Sequence, residues 1–269
     1  MGKVLKKRLF HCLNWVREGA VAEIRLNRPE ALNAFNVELA EELGRALNRA
    51  AKEKEVRAVV IRGEGRAFSA GGDLKMFHRM LPRADRGFHK ISALLHSAVK
   101  TIRTMPKPVI AGVHGPAFAA AFGLTLACDL ILASESSTFS ASYINVALTP
   151  NGSATLYLPR LVGCHRASEL FFTGRVLTAK EALQWGIVNR VVKDGKFEKA
   201  LSDWARDLAS RPTLSIGRTK ELLNRSLSLP IVSHLEAEKN AIAWSSTTPD
   251  FTEGVSAFVK KRKPQFKGR

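Results

Sequence analysis

The feature that most constrains the fold is an alternation of short apolar strands with amphipathic helices. Residues 21–26 are rich in branched side chains and predict a strand. Asn36 is then placed to cap a helix, because apolar residues follow it at helical spacing: Val37, Ala40, Leu43, Leu47 and Ala50. Further strands are predicted at 56–62, 108–113 and 129–134. Alternating strands and helices need crossover connections, so the pattern predicts a mostly parallel, buried sheet.

The second half of the chain has a helical pattern. Its first predicted helices span 156–163, 167–172 and 179–185, the last ending at a glycine. From Phe197 onward the pattern is that of amphipathic helices, with breaks at Pro212 and Pro230 and no strand signal. We therefore place a boundary near residue 195. Residues 1–195 form the core, and residues 196–269 form a helical region whose apolar faces must cover its own core or another subunit.

Composition limits the classes of protein that fit. A chain of 269 residues with 45% hydrophobic residues can bury the core of one large domain. No apolar run reaches the roughly 18 residues of a membrane span. The basic start of the chain, residues 1–8, has no apolar segment after it, which argues against a secretory signal. Cys12, Cys128 and Cys164 are widely spaced and odd in number, which predicts reduced thiols in a cytoplasmic protein.

The charge of the chain is strongly positive, at +18. Lysines and arginines are scattered along the whole sequence, and aromatic residues make up only 7% of it. No nucleic-acid-binding module stands out, so we expect no nucleic-acid ligand. A polyanionic partner and a solvated basic surface both stay open as interpretations of the charge.

Two segments of small residues each follow a predicted strand. Residues 67–74 read AFSAGGDL, and residues 113–123 read VHGPAFAAAFG. Glycine-rich turns let backbone N–H groups approach a ligand closely, and a helix N-terminus adds a favourable dipole. Two N–H groups aimed at one oxygen form an oxyanion hole, which stabilises a thioester enolate. By spacing alone such segments are more often plain turns.

These segments, together with others in the same order, resemble the crotonase (enoyl-CoA hydratase/isomerase) superfamily. The others are residues 26–34, residues 174–192 and a C-terminal signature that includes Asp250, Gly254 and Phe258. The resemblance covers nearly the whole chain. It implies an α/β crotonase fold, a ClpP-like spiral of ββα units followed by a helical C-terminal trimerisation region. It also implies a homotrimer or hexamer, an acyl-CoA thioester as substrate, and no metal or separate cofactor.

By position, the resemblance implies oxyanion-hole N–H groups at Gly72 and Ala120. Residues 119–121 are alanines where the family has glycines. Only the backbone N–H is needed, but the three methyl groups narrow the space near the thioester. Asp73 is interpreted as a structural carboxylate of the turn. The remaining residues are those implied to contact coenzyme A: Ala31, Leu32, Ala34, Ala70, Gly71, Lys75, Phe258 and Lys261.

Both acids of the hydratases are missing. Gly123 and Tyr143 stand where the resemblance places two glutamates, and alkene hydration needs both an acid and a base. A phenol, with an ordinary pKa of about 10, can donate a hydrogen bond but is a poor base at neutral pH. Residues 148–163 look like the isomerases of the superfamily, yet the position of their acid holds Asn151. We therefore do not expect hydration by the two-glutamate route.

The leading prediction is an enoyl-CoA isomerase/hydratase-like enzyme with an atypical acid–base set, and three accounts of its chemistry stay open. In the first, the base lies in the variable stretch 76–92, where the candidates are His78, Asp85 and His89. In the second, the oxyanion hole and the neutral donors Tyr143 and Asn151 suffice, as in decarboxylation of a malonyl-type thioester. In the third, the chain is a non-catalytic acyl-CoA-binding partner subunit. Deamidation of the labile Asn151-Gly152 pair would place an acid at the isomerase position.

Overall fold

Strands and helices alternate through the chain in a computed structural model that describes residues 9–226 and 228–269. The strands are β1 Leu13–Glu18, β2 Val21–Leu26, β3 Ala58–Gly63, β4 Val109–Val113, β5 Pro116–Phe118, β6 Leu130–Ser134, β7 Thr138–Ser140, β8 Val176–Thr178 and β9 Arg190–Val192. The helices are α1 Val37–Lys52, α2 Leu74–Arg79, α3 Ala84–Thr104, α4 Ala120–Ala127, α5 Ala154–Val162, α6 Cys164–Thr173, α7 Ala179–Gln184, α8 Phe197–Ala209, α9 Thr213–Arg225, α10 Ile231–Ser245 and α11 Pro249–Val259. The basic start of the chain, residues 1–8, lies outside the described residues.

The larger sheet has the strand order β1-β2-β3-β4-β6-β9. Strand β1 is antiparallel to β2, and every later pair in the order is parallel. Strands β3 and β4 are buried along their whole length, as parallel strands covered on both faces must be. The prediction of a mostly parallel, buried sheet is confirmed. A smaller sheet has the order β5-β7-β8.

Helices cover both faces of the larger sheet. Alternate residues of a strand point to opposite faces, and in β3 the side chains of Val59 and Ile61 join the main core while Val60 packs against α8 on the other face. From α8, Phe197 and Leu201 complete this second cluster. The predicted boundary near residue 195 thus falls between β9 and α8, but α8 itself packs on the sheet.

Several element boundaries follow from local chemistry that the sequence shows. Asn36 caps α1 as predicted, because its side-chain oxygen accepts a hydrogen bond of 2.8 Å from the Leu39 N–H. Helix α7 ends just before Gly186, which has a φ of +74°. Strand β1 was not predicted, because an edge strand that is mostly exposed shows no apolar alternation. Strands β5, β7, β8 and β9 are only three residues long, too short to establish a period.

The C-terminal helices leave apolar side chains in solvent. Ile231, Val232 and Ile242 on α10 are exposed, as are Phe258 and Val259 on α11. A second subunit would cover such surfaces, but the homotrimer or hexamer stays a prediction. Within the described residues, no helix is both long and apolar enough to cross a membrane. All three cysteines are free thiols.

A buried ion pair fastens α9 to the sheet. The Lys220 ammonium donates to the Asp129 carboxylate at 2.6 Å, and the Lys220 side chain is only 5% exposed. Asp129 also accepts hydrogen bonds from the Val109 N–H at the start of β4 and from the Arg103 guanidinium at the end of α3. Burial lowers the pKa of the Lys220 amine, and the Asp129 carboxylate opposes that shift.

Replacing Asp129 by asparagine should lower the free energy of unfolding by about 3 kcal/mol, because Lys220 would keep a buried charge without a carboxylate partner. Denaturant unfolding followed by circular dichroism measures the change. The control is the double variant Asp129→Asn/Lys220→Met, which removes the buried charge and should recover part of the loss. The single variant Lys220→Met completes the comparison. If the losses in the free energy of unfolding of the two single variants simply add in the double variant, the ion pair does not couple α9 to the sheet.

Candidate functional site

A cavity of about 310 Å³ opens where the two segments of small residues meet. The segments pair like parallel strands: the Ser69 N–H donates to Pro116 O at 3.0 Å, and the Phe118 N–H donates to Ser69 O at 3.0 Å. This pairing places Gly72 and Ala120, which lie further along the two segments, in the wall of the same cavity. The predicted oxyanion-hole residues are therefore brought together.

The backbone N–H groups of Gly72 and Ala120 have no hydrogen-bond acceptor in residues 9–226 and 228–269. Ala120 is the first residue of α4, where an N–H has no acceptor within the helix. The residues around Gly72 are fully engaged, since the Phe35 N–H donates to Gly71 O and the Asp73 N–H donates to Phe35 O. An N–H without a partner in the protein is available to a ligand that accepts a hydrogen bond from it. The pair therefore suits a negatively charged oxygen of a bound ligand.

Ala119 holds the sharp turn that frees the Ala120 N–H. Its φ of 48° and ψ of −117° lie in a region that residues with a Cβ rarely adopt. The opposite segment reaches the same point through Gly71, where a Cβ would lie 2.7 Å from Phe118 O. The two backbones are therefore closely packed at this point. Ala119 has a strained backbone conformation that glycine would adopt without strain.

Replacing Ala119 by glycine should raise the free energy of unfolding by about 1 kcal/mol, because glycine adopts this φ without a steric penalty. Denaturant unfolding measures it. The matched control is Ala121→Gly, the same chemical change inside α4, which should lower stability by about 1 kcal/mol or more. Equal losses in both variants would mean that Ala119 is not strained.

The loop before α1 is tied to the first oxyanion segment. The Ala70 N–H donates to Leu32 O at 2.9 Å, and the buried Asn33 amide donates to the carbonyls of Glu64 and Ala67, each at 2.8 Å. Most of the residues implied to contact coenzyme A lie on this joint: Ala31, Leu32, Ala34, Ala70 and Gly71. The loop therefore presents a continuous backbone surface beside the cavity.

Asp73 is a structural carboxylate, as its position in the turn indicated. One oxygen caps α2 by accepting from the Met76 N–H at 3.1 Å, and the other pairs with the Arg28 guanidinium at 3.0 Å. Burial opposes ionisation of Asp73, but these two hydrogen bonds outweigh it and lower the pKa of the carboxyl. The carboxylate is thereby occupied and does not line the cavity.

The other implied coenzyme A residues are exposed and lie outside the cavity lining. Lys75 follows the cavity-lining Leu74 on α2. Phe258, which is 86% exposed, and Lys261 lie at the C-terminal end of α11. One chain by itself does not bring Phe258 and Lys261 into the cavity.

The position of the first missing glutamate is closed by backbone. A Cβ on Gly123 would lie 2.6 Å from Gly152 O and 2.8 Å from Asn151 O, closer than real Cβ contacts come. The turn at residues 151–152 therefore fills the space that any side chain at 123 would need. A glutamate at position 123 would therefore require a change in the local backbone and could not be introduced by a single substitution alone.

The position of the second missing glutamate holds a buried phenol. Tyr143 is 8% exposed, and its hydroxyl donates to Asn151 O at 3.0 Å. Burial raises the pKa of the Tyr143 phenol above its ordinary value. The group therefore stays neutral, and its proton is used to hold the 151–152 turn.

Asn151 lines the cavity and is fixed by α3. Its amide nitrogen donates to Ser92 Oγ at 2.7 Å, and its side-chain oxygen lies 2.6 Å from His96 Nε2. The same oxygen accepts from the Gly152 N–H. Sequence analysis did not identify Ser92 and His96 as partners. Their spacing of four residues puts them on one face of a helix, which is the only sequence signal that could have found them.

The wall formed by α2 and α3 is apolar. Phe77 and Phe88 stack with ring centroids 3.8 Å apart, and Ile91 and Leu95 extend the wall. The titratable residues predicted in the 76–92 stretch do not line the cavity and are exposed: His78, Asp85 and His89. Of the described residues that line the cavity, Tyr143 alone has a side chain that can ionise.

Comparison with known proteins identifies the family of the chain. The sequence profile of the enoyl-CoA hydratase/isomerase family matches residues 16–269. The chain is 34% identical over 254 residues to the 1,2-epoxyphenylacetyl-CoA isomerase of Escherichia coli (strain K12), covering 94% of this chain and 97% of that protein. It is 34% identical over 253 residues to the 4-chlorobenzoyl coenzyme A dehalogenase-2 of an Arthrobacter species, covering 93% of this chain and 91% of that protein.

The solved structures give the same result for the fold. The crystal structure of an enoyl-CoA hydratase from Polaromonas sp. JS666 superposes with a TM-score of 0.91 at 34% identity, covering 95% of this chain and 99% of that one. The fold is that of the crotonase superfamily. The chain belongs to the enoyl-CoA hydratase/isomerase family, and it is an enzyme of that kind.

Proposed function

We propose that the protein binds an acyl-CoA thioester and stabilises the enolate of that thioester between the N–H groups of Gly72 and Ala120. The observation that carries this proposal is the pair of unpaired N–H groups at one cavity wall. Ala120 is the first residue of α4, so the positive end of the helix dipole adds to the stabilisation of the oxyanion. Coenzyme A would lie along the loop at residues 31–34 and the adjoining residues 70–71.

For an isomerase/hydratase-like reaction, the acyl group is proposed to be uncharged and apolar, with room for a ring. The stacked Phe77 and Phe88 and the neighbouring Phe118 offer aromatic and aliphatic contacts, and no charged side chain of the described residues lines the cavity. The names of the Escherichia coli isomerase and the Arthrobacter dehalogenase, 34% identical in each case, both contain the coenzyme A thioester of an acyl group with a carbon ring. An acyl group that keeps a second charge through the whole reaction would have to be buried without a partner.

The proposed chemistry forms the enolate without a carboxylate from the protein. The site at Gly123 is closed, Tyr143 stays protonated, and Asn151 can orient a group but cannot accept a proton. The leading candidate is an isomerase/hydratase-like reaction at Cα and Cβ in which Asn151 orients water or the substrate. The proton that leaves or joins Cα in this reaction would then be carried by water or by a group of the substrate itself.

One observation favours a second candidate, a decarboxylase-type reaction. Loss of carbon dioxide from a malonyl-type thioester leaves the enolate directly, so the step needs the oxyanion hole but no base. The described lining of the cavity offers neutral donors and no base, which is the arrangement this step requires. Incubating acyl-, enoyl- and malonyl-type thioesters in D₂O separates the two, since deuterium uptake at Cα supports the first and carbon dioxide release supports the second. Tight binding with neither result would contradict both and favour a non-catalytic acyl-CoA-binding subunit.

Replacing Ala120 by proline should lower turnover by about a hundredfold or more, because it removes one oxyanion donor. Proline is tolerated at the first position of a helix, so α4 can persist. Mass spectrometry of deuterium uptake at Cα measures the rate, and circular dichroism checks the fold. The matched control is Ala120→Gly, which keeps the N–H and should retain most of the rate. Should proline disturb the turn, Gly72→Pro removes the other donor. Unchanged turnover in a folded proline variant would rule out the oxyanion assignment.

Replacing Tyr143 by phenylalanine should lower turnover by about tenfold, because the 151–152 turn loses the hydrogen bond that holds it. The raised pKa of the phenol means that it stays protonated through pH 10 in the folded protein. The pH–rate profiles of the wild type and the variant should therefore have the same shape between pH 6 and about 10. A limb near pH 10 that disappears in the variant would show that the phenol ionises during turnover.

A further inference from the structure

The outer side of the cavity wall is strongly basic. Helices α2 and α3 face the cavity with Leu74, Phe77, Phe88, Ile91 and Leu95. On their solvent side they and the turn between them expose five cations, which we call the basic wall: Lys75, Arg79, Arg83, Arg86 and Lys90. Between residues 75 and 90 the only acidic side chain is Asp85. The solvent side of the cavity wall thus carries a local excess of positive charge.

The fold neutralises few of these charges, although the Arg79 guanidinium helps to lower the pKa of the Asp73 carboxyl. In the part of the chain that the structure describes, no member of the basic wall makes an ion pair within 4.0 Å. Arginines elsewhere are paired, such as Arg28 with Asp73, Arg103 with Asp129 and Arg175 with Glu181. Clustered like charges repel one another in the folded protein. A cluster without counter-charges is therefore suited to an anionic partner.

The basic wall borders the entrance of the cavity. Leu74 lines the cavity and is also 53% exposed, so it marks the mouth, and Lys75 follows it directly. Leu81, between α2 and α3, is 61% exposed among the same cations. Apolar side chains surrounded by charge are the usual composition of a protein–protein contact. A group carried by a partner bound here could enter the cavity at the mouth that Leu74 marks.

Apart from Lys75, which the family resemblance implies as a contact, coenzyme A leaves the basic wall without a role. The backbone contacts proposed for it lie at the loop 31–34 and at residues 70–71, and its few phosphates need few cations. The same phosphopantetheine thioester also occurs on carrier proteins, whose surfaces are acidic and which insert the thioester arm into an enzyme. We infer that the basic wall docks such an acidic carrier protein and that the acyl group reaches the cavity on its phosphopantetheine arm, an inference that rests on the proposed thioester function.

The position and composition of the wall favour a protein over other polyanions. Single-stranded nucleic acid is held by exposed aromatic side chains beside the cations, whereas Phe77 and Phe88 are stacked on each other in the cavity wall. A membrane-surface helix exposes its apolar face to lipid, whereas the apolar face of α3 packs on the cavity and the core through Ile91 and Leu95. An acidic carrier protein accounts for cations that border a thioester site and outnumber those that the phosphates of coenzyme A need.

The test compares one acyl group on three carriers. A phenylacetyl group is attached to an acidic acyl carrier protein, to coenzyme A and to pantetheine alone, and deuterium uptake at Cα gives kcat/KM for each. The variant is Arg83→Glu/Arg86→Glu/Lys90→Glu, in which two of the acids fall at the N-terminus of α3, where the helix dipole favours them. The matched control makes the same change of charge at exposed lysines outside the cavity lining: Lys180→Glu, Lys193→Glu and Lys196→Glu.

The variant should lose about tenfold or more in kcat/KM for the carrier-protein thioester and less than about twofold for the pantetheine thioester. The control variant should lose little with either, and added salt should lower the wild-type rate with the carrier protein. A loss with all three thioesters, or an equal loss in the control, overturns the inference. The inference is also overturned if the wild type binds anionic phospholipid vesicles or duplex DNA more tightly than the carrier protein and the same substitutions abolish that binding.

A second readout separates this inference from the proposed function. Fluorescence anisotropy of a labelled carrier protein measures the dissociation constant without any turnover. If no thioester exchanges its Cα proton, the proposed function fails, and carrier binding that weakens about tenfold in the variant alone still supports docking. If the thioester of coenzyme A is turned over but the carrier protein binds wild type and variant equally, docking fails and the proposed function stands.

Discussion

The site depends on one contact, the pairing of two stretches of backbone that consist mostly of small residues. Strands β3 and β4 are adjacent and parallel, so their carboxyl ends meet at one edge of the sheet. The segments that leave them join through the hydrogen bonds between Ser69 and residues 116 and 118. Such an approach requires glycine, since a Cβ at Gly115 would lie 2.2 Å from Arg66 O. Only this pairing brings the two free N–H groups to one cavity.

The same close packing explains what the site lacks. The turn at residues 151–152 lies against α4, where a side chain at 123 would otherwise stand. Tyr143 and α3 hold that turn from two sides, through the phenol and through the Ser92 and His96 side chains. The residues at the two acid positions therefore support one structural element. A single substitution that restored one glutamate would displace this turn, so the departure from two-glutamate chemistry involves several contacts together.

Sequence reasoning succeeded where the determinants are local. Periodicity and the Asn36 cap located α1, and apolar strands between turns located the parallel sheet. It failed at α3, whose extent was not predicted. Once α3 is known to span 84–104 with Phe88, Ile91 and Leu95 facing the cavity, helical spacing turns His89 away from it. Asp85 lies exposed in the first turn of α3, outside the cavity lining. The role of Gly123 could not be predicted either, because the backbone that closes its space comes from a turn about thirty residues later.

The distribution of charge follows from the way the enolate is held. Backbone dipoles act most strongly on a developing oxyanion when the surroundings are apolar and exclude water. The same surroundings penalise any ionised side chain that is not paired. A cavity that relies on the N–H groups of Gly72 and Ala120 therefore works best with a neutral lining, which is what the described residues provide. Cations that attract an anionic carrier must then stay outside, and the α2–α3 wall separates the two requirements by presenting phenylalanine inward and arginine outward.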